Sequence, residues 1–283
     1  ILNLIKKLSE FKIIIVDNGG NKEIIKKIIN LNSQLQIITP KKNLGFGKAN
    51  NLAFKYVNTK YTLLLNPDVS INKKAIIYLL NCIQNYNNCA IAVPNVCDNI
   101  CLKSEYGIFP EKSKGVKRNL IEQKISDSLH KKLPSGDICI DVAWGSAMLL
   151  NNNIIKKTGL FDENFFLYWE DIELCRRLRE KKYSIIMSYK SCAVHYQHTS
   201  VKRNLISNFI INFHSEKSPF IYFKIKKNNF ILYKRLFLYL FRSLSYLLAL
   251  NLNKSLKNTA RFFAVFFYIF SRKQLIKYSK LKQ

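Results

Sequence analysis

Two adjacent carboxylates, Glu170 and Asp171, stand directly behind Phe165, Phe166, Tyr168 and Trp169 in the stretch GLFDENFFLYWEDIELCRRLREKKY. Taking a carboxylate out of water is expensive, so the placement needs a physical reason. One reason is structural. The acids open an Arg-rich helical pattern through Cys175 and Leu178, where negative charge suits the N-terminal end of the dipole. The other is chemical. Apolar walls raise a carboxylate pKa and make it a stronger general base. Trp144-Gly145 is a candidate second wall of the same cleft.

Three more groups have types and positions suited to a ligand. Asp68, in Asn66-Pro67-Asp68, follows the apolar run YTLLL. It should project from the carboxyl end of a strand, where open α/β sheets bind ligands and a carboxylate can hold a cation bridging two phosphates. The same tripeptide is also an excellent turn. Asp17 ends FKIIIV and points to the same edge, placed to accept hydrogen bonds from a base or ribose. NLGFGKANN, Asn43–Asn51, offers two glycines that let backbone approach a phosphate or base. It is not a P-loop, because Ala49 follows Gly47-Lys48, and Asn50 stands where G-x-G-x-x-G requires its last glycine. His195, in AVHYQHTS, reads either as a metal ligand or as a buried structural histidine.

The elements that must position these groups alternate. Short apolar runs at Phe11–Val16, Gln36–Thr39, Tyr61–Leu65 and Cys89–Val93 read as strands. Helical patterns at Asn21–Asn30, after NLGFGKANN to about Val57, and at Lys73–Tyr86 separate them. This alternation predicts an α/β fold with a mostly parallel central sheet flanked by helices. Asp98–Asp137 breaks the rhythm and reads as a long polar excursion. Regular structure resumes at Ile138–Leu150, with a helix over Asn151–Lys157 and strands at Tyr183–Met187 and Ala193–Tyr196. The division expected is residues 1–215 as the α/β domain and 216–283 as a helical tail.

Charge separates the two parts. The chain of 283 residues carries 46 basic and 18 acidic side chains, a formal +28. From Lys217 to Gln283 there are 15 basic residues and no acid. Such a tail favours an anionic partner: membrane phosphates, nucleic acid or a phosphorylated substrate. Lys234, Arg235 and Arg242 interrupt the apolar stretch Phe230–Leu250, which argues against a membrane span. Arg235 and Arg242 on one face, and Lys254, Lys257 and Arg261 on another, suggest two amphipathic cationic helices on an anionic membrane surface, or a packed pair with a solvated basic side. No helix-turn-helix, zinc-finger or RNA-binding signature supports nucleic acid. The seven cysteines are odd in number and irregularly spaced, which fits free thiols in a reducing cytoplasm.

In order, VDNGG, NLGFGKANN, LLLNPD, WGSAMLL, GLFDENFFLYWEDIELCRRL and AVHYQHTS resemble the inverting family 2 glycosyltransferases, especially the bacterial rhamnosyltransferase-like branch. The resemblance covers about Phe11 to Ser200. It implies a GT-A fold, a nucleotide-diphosphate sugar donor with dTDP-rhamnose leading, a lipid-linked or polysaccharide acceptor, and Mg2+ or Mn2+. By motif position, Asp17, Gly45, Asn50, Asn51 and Asp68 would bind the donor, and Asp68 with His195 would hold the metal. Asp171 would be the catalytic base, with Glu170 shaping the acceptor site beside Trp144, Gly145 and Trp169. The tail would hold the enzyme at the cytoplasmic face of the membrane. Family members begin with a central strand ahead of the helix that ILNLIKKLSE resembles, so an N-terminal fragment loss is expected. An inactive membrane-bound scaffold of the same fold is the alternative, ahead of a nucleic-acid binder.

Overall fold

The computed structural model describes residues 2–19, 22–29, 35–97, 106–107, 136–196 and 204–271. Most of the expected excursion Asp98–Asp137 lies outside the described residues, as does His198. The chain forms two compact units, residues 1–162 with 171–200, and residues 163–170 with 201–283.

The first unit opens with α1 (Leu2–Lys7), β1 (Ile13–Val16), α2 (Lys22–Ile29), β2 (Leu35–Ile38), α3 (Phe46–Phe54), β3 (Tyr61–Leu65) and β4 (Val69–Ile71). It continues through α4 (Lys73–Asn85), β5 (Cys89–Cys97), β6 (Tyr106–Gly107), β7 (Ile138–Cys139), β8 (Val142–Ala143), β9 (Ala147–Asn151) and α5 (Asn152–Thr158). After α6 (Glu170–Glu180), it ends on β10 (Ser184–His195). The expected strands Tyr183–Met187 and Ala193–Tyr196 are thus one strand, whose pairing with β5 shifts register between Ser188 and Cys192.

The main sheet runs β3-β9-β5-β10-β4, with β7 also on β10. Its pairing is mixed where mostly parallel pairing is expected. β5 and β10 are parallel, but β9 runs antiparallel to both β3 and β5, and β4 antiparallel to β10. β1 and β2 form a separate parallel pair.

Both faces of the main sheet are buried, so alternate strand residues serve different cores. Met148, Leu150, Ile91, Ile185 and Met187 point to one core, closed by Ile154 and Ile155 of α5 and by Leu174, Cys175 and Leu178 of α6. Ala147, Leu149, Ala92 and Ile186 point to the other, closed by Ala75, Ile76, Leu79 and Ile83 of α4. Helix α4 starts where Asn72 accepts the Ala75 N–H at 2.8 Å. Among the described residues Cys82, Cys89, Cys139, Cys175 and Cys192 form no disulfide.

Arg177 of α6 locks the turn after α5. Its guanidinium donates to the carbonyls of Thr158 and Gly159 at 2.6 and 2.8 Å and to that of Leu160, and pairs with Glu173 at 3.0 Å. These carbonyls belong to a helix end and its following turn, which carry no ladder partners of their own.

The second unit contains α7 (Leu205–Tyr222), α8 (Phe230–Leu248) and α9 (Leu252–Phe270). Asn204, Asn229 and Asn251 cap the three N-termini. Buried charge joins the helices: Glu216 pairs with Arg235 and lies 4.0 Å from Arg261. Arg235 therefore turns into the bundle and does not share an outer basic face with Arg242. Tyr239 is buried beside the cluster, and burial followed by the Glu216 charge pushes its hydroxyl up to about 12. Among the described residues no helix is long and apolar enough to cross a membrane.

Replacing Arg177 by Ala leaves three carbonyls and the Glu173 carboxylate without their shared donor. The expected loss is about 2–4 kcal/mol in urea unfolding. A loss below about 0.5 kcal/mol would show that the turn does not depend on it.

Candidate active site

The strand directions gather Trp144, Gly145, Asp68 and His195 at one end of the main sheet. β3 ends at Leu65, and β9, running the other way, begins beside it at Ala147. The Asn66 N–H donates to the Ser146 carbonyl at 2.9 Å, so Trp144-Gly145-Ser146 lies against the Asn66-Pro67-Asp68 turn. The end of β10 meets the same turn: His195 is in register with Val69, and the Tyr196 N–H donates to the Asp68 carbonyl at 2.9 Å.

Asp68 is buried, and His195 Nε2 stands 3.4 Å from its Oδ1. That oxygen is buried without a hydrogen-bond partner. A buried carboxylate oxygen in this state is costly unless a ligand or proton completes it. An oxygen and an imidazole nitrogen at this separation suit two neighbouring positions around one divalent cation with bonds of about 2.1 Å. No group of three or more His, Cys, Asp and Glu side chains able to hold a metal occurs among the described residues. The fitting donor set is therefore a pair, leaving remaining coordination positions to substrate and water.

Asp171, second residue of α6, is fixed at both oxygens. Oδ2 accepts the Gly145 N–H at 3.1 Å, and Oδ1 accepts the Ile172 N–H at 2.8 Å. Each carboxylate oxygen keeps a further lone pair for a substrate. Dense surroundings push the Asp171 carboxyl above the usual range, and desolvation outweighs the two N–H bonds that oppose it. The residue nonetheless keeps a partly accessible surface, the combination a general base requires. Gly145 is needed here: a Cβ would stand 2.9 Å from the Phe46 ring and 3.8 Å from Asp171 Oδ2.

Asp17 follows β1, and its N–H donates to the Ile38 carbonyl at 2.9 Å. The next residue, Asn18, was not among the sequence candidates. Its amide accepts the Leu44 N–H at 2.7 Å and donates to the Gly45 carbonyl at 3.0 Å, joining VDNGG to NLGFGKANN. Gly45 takes φ +78° immediately before α3, a conformation that favours glycine. Asn50 donates to the Phe46 carbonyl within α3. Asn51 exchanges two hydrogen bonds with the Phe161 backbone, at 2.9 and 3.0 Å. Asn50 thus bonds within α3, and Asn51 ties α3 to the backbone at residue 161.

Glu170 is buried at the start of α6. Tyr168 and Trp169, immediately before it, have φ of +66° and +73°. Consecutive bulky residues in the left-handed region are strained, and such strain gathers at functional sites. The Trp169 ring lies 5.1 Å from Tyr222 and 5.7 Å from Phe223 within the second unit. Trp144 is half-buried.

Residues 1–134 match the model named "Glycosyl transferase family 2". That match covers just under half of the chain. It is similar to "Low-salt glycan biosynthesis hexosyltransferase Agl10" of Haloferax volcanii, 27% identical over 202 residues that cover 70% of this chain and 63% of that protein. The chain thus spans less than two thirds of that relative. "Rhamnosyltransferase WbbL" of Escherichia coli K12 is 28% identical over 214 residues, covering 69% of this chain and 79% of its own. Among solved structures, GalNAc-T7 with UDP, GalNAc and Mn2+ superimposes with a TM-score of 0.50 at 12% identity, over 72% of this chain and 44% of that one. That likeness concerns the GT-A fold alone.

The raised Asp171 carboxyl has a thermodynamic consequence. The folded protein keeps this proton to higher pH than the unfolded chain, so ionisation costs stability. The cost grows as pH climbs past the ordinary aspartate value of 3.8 and levels off above the folded value. Asp171→Asn should therefore gain stability relative to wild type between about pH 4 and about pH 7, compared by urea midpoints. The same difference at both pH values would contradict a raised carboxyl.

Proposed function

We propose that the protein is an inverting glycosyltransferase of glycan biosynthesis, moving a sugar from a nucleotide-diphosphate donor to a lipid-linked or polysaccharide acceptor at the cytoplasmic face of a membrane. One observation carries the reading. A desolvated carboxylate, Asp171, is clamped by the N–H of Gly145 on the loop that abuts the turn bearing Asp68. Rhamnose carried on dTDP is the leading donor, supported by the likeness to a rhamnosyltransferase.

In this reading Asp171 takes the proton of the acceptor hydroxyl as its oxygen attacks the anomeric carbon. The bond between that carbon and the diphosphate oxygen breaks, the nucleotide diphosphate leaves, and the configuration inverts. A single base suffices, because no covalent glycosyl-enzyme forms. Asp68 and His195 would hold Mg2+ or Mn2+, which when bound offsets negative charge on the departing diphosphate. The loop braced by Asn18 presents Gly45, and with Asp17 forms the nucleotide side. Trp144 and Gly145 border the acceptor side, with Glu170 shaping it.

Calorimetric titration of dTDP, UDP and GDP, each with and without Mn2+, tests the donor site. Metal-dependent binding of one nucleotide is expected, weakened at least about tenfold in Asp68→Ala. Silence toward all three from folded protein would favour an inactive scaffold. Asp171→Asn should lower transfer about 10²–10⁴-fold while nucleotide affinity holds. Turnover at the wild-type rate would remove Asp171 as the base.

A further inference from the structure

Helix α8 turns its largest apolar side chains outward. At about 100° per residue, Phe230, Phe237, Phe241, Leu244 and Leu248 fall within an arc of roughly 60°. All are exposed, by 53% to 86% of their surface. The opposite arc carries Leu232, Arg235, Tyr239 and Ser243, and these turn into the bundle, with Leu232 buried. Arg235 pairs with Glu216, Tyr239 is buried, and Ser243 bonds Thr259 at 2.6 Å and accepts from Ser255 at 2.9 Å. A helix packed in water shows the reverse, with its apolar stripe inward. The turn into α9 extends the same surface, with Leu250 and Leu252 both exposed.

We infer that the Phe230–Leu248 outer face is a membrane-docking surface, seated in the headgroup and acyl boundary of an anionic bilayer with α8 lying in the plane. Apolar outside and hydrogen-bonded inside is the arrangement a lipid-facing helix needs, because lipid satisfies no polar group. Charge selects the occupant. Lys234 lies exposed beside the apolar arc, Arg242 is exposed about 100° further round the helix, and Lys254 and Lys257 are exposed on α9. With no acid after Glu216, a second copy would oppose cation to cation, whereas lipid phosphates complement it. Long cationic side chains reach the headgroups while their stems lie among apolar neighbours. The apolar face thus enters the boundary, and the cations flank it.

This inference rests on the membrane-face part of the proposed function and not on the transfer chemistry. The test uses the full chain and vesicles of phosphatidylcholine with phosphatidylglycerol, or of phosphatidylcholine alone. Wild type should float with the anionic vesicles. F241W should show added tryptophan emission, relative to wild type, that brominated acyl chains quench. F237S/F241S should bind at least about tenfold more weakly, with unchanged helicity and nucleotide affinity. Three results would overturn the docking face: wild-type vesicle affinity in F237S/F241S, flotation of F241W without quenching, or a dimer that F237S/F241S dissolves in protein that ignores vesicles. Quenching that persists in protein blind to every nucleotide would leave the docking face standing and remove the transferase reading.

Discussion

The reversed direction of β9 is the constraint on which the site depends. A strand inserted antiparallel between β3 and β5 delivers its first residues, not its last, to the end where β3 stops. Gly145 and Ser146 are thereby carried to the Asn66–Asp68 turn without a crossover, fixed by the main-chain bond from Asn66 to Ser146. Since β9 is buried on both faces, sliding it by one residue would exchange Met148 and Leu150 with Ala147 and Leu149 between two differently shaped cores. Packing far from the site therefore sets the position of the Gly145 N–H, and with it the Asp171 carboxylate.

The site itself combines two kinds of polar burial. Asp171 is desolvated but hydrogen-bonded at each oxygen, which fixes its direction and leaves its basicity raised. Asp68 is desolvated with one oxygen lacking a hydrogen bond, a state that an incoming cation can resolve. One group is finished by the protein's own backbone, and the other is left for a ligand to complete. In the proposed roles, a base must be ready before the acceptor arrives, whereas a metal ligand is useful when binding is what satisfies it.

Much of this was legible in the chain. Apolar runs bounded by turn residues located the strands, and the motif order singled out Asp68, His195, Gly145 and Asp171, which main-chain and side-chain contacts bring to the Asn66–Asp68 turn and its neighbouring loop. Pairing direction was not legible, because alternation of side chains looks the same whichever way a strand runs. Nor was the unity of β10, since Tyr189, Lys190 and Ser191 interrupt its apolar pattern where the register with β5 shifts. The amides of Asn50 and Asn51 looked free for a nucleotide, yet they hold backbone, one of them at residue 161. Asn18 carried no signal beyond its place in VDNGG, because its partners lie 26 and 27 residues away. Arg235 was read with Arg242 as an outer stripe because a helical wheel shows which residues share a face, and not which face is covered. Its partner, Glu216, precedes the acid-free tail.

The small β1–β2 ladder has a dynamic meaning. Four residues on each side are paired, and none of the eight is fully buried. So short a parallel ladder, joined to α3 partly through the Asn18 amide, belongs to the low-stability end of a domain whose main sheet is closed by helices on both faces. The nucleotide side would then breathe while the base side stays fixed. Affinity for the donor would include the free energy of ordering that ladder, and amide-exchange protection at Ile13–Val16 would report occupancy of the nucleotide side without any change in the main sheet.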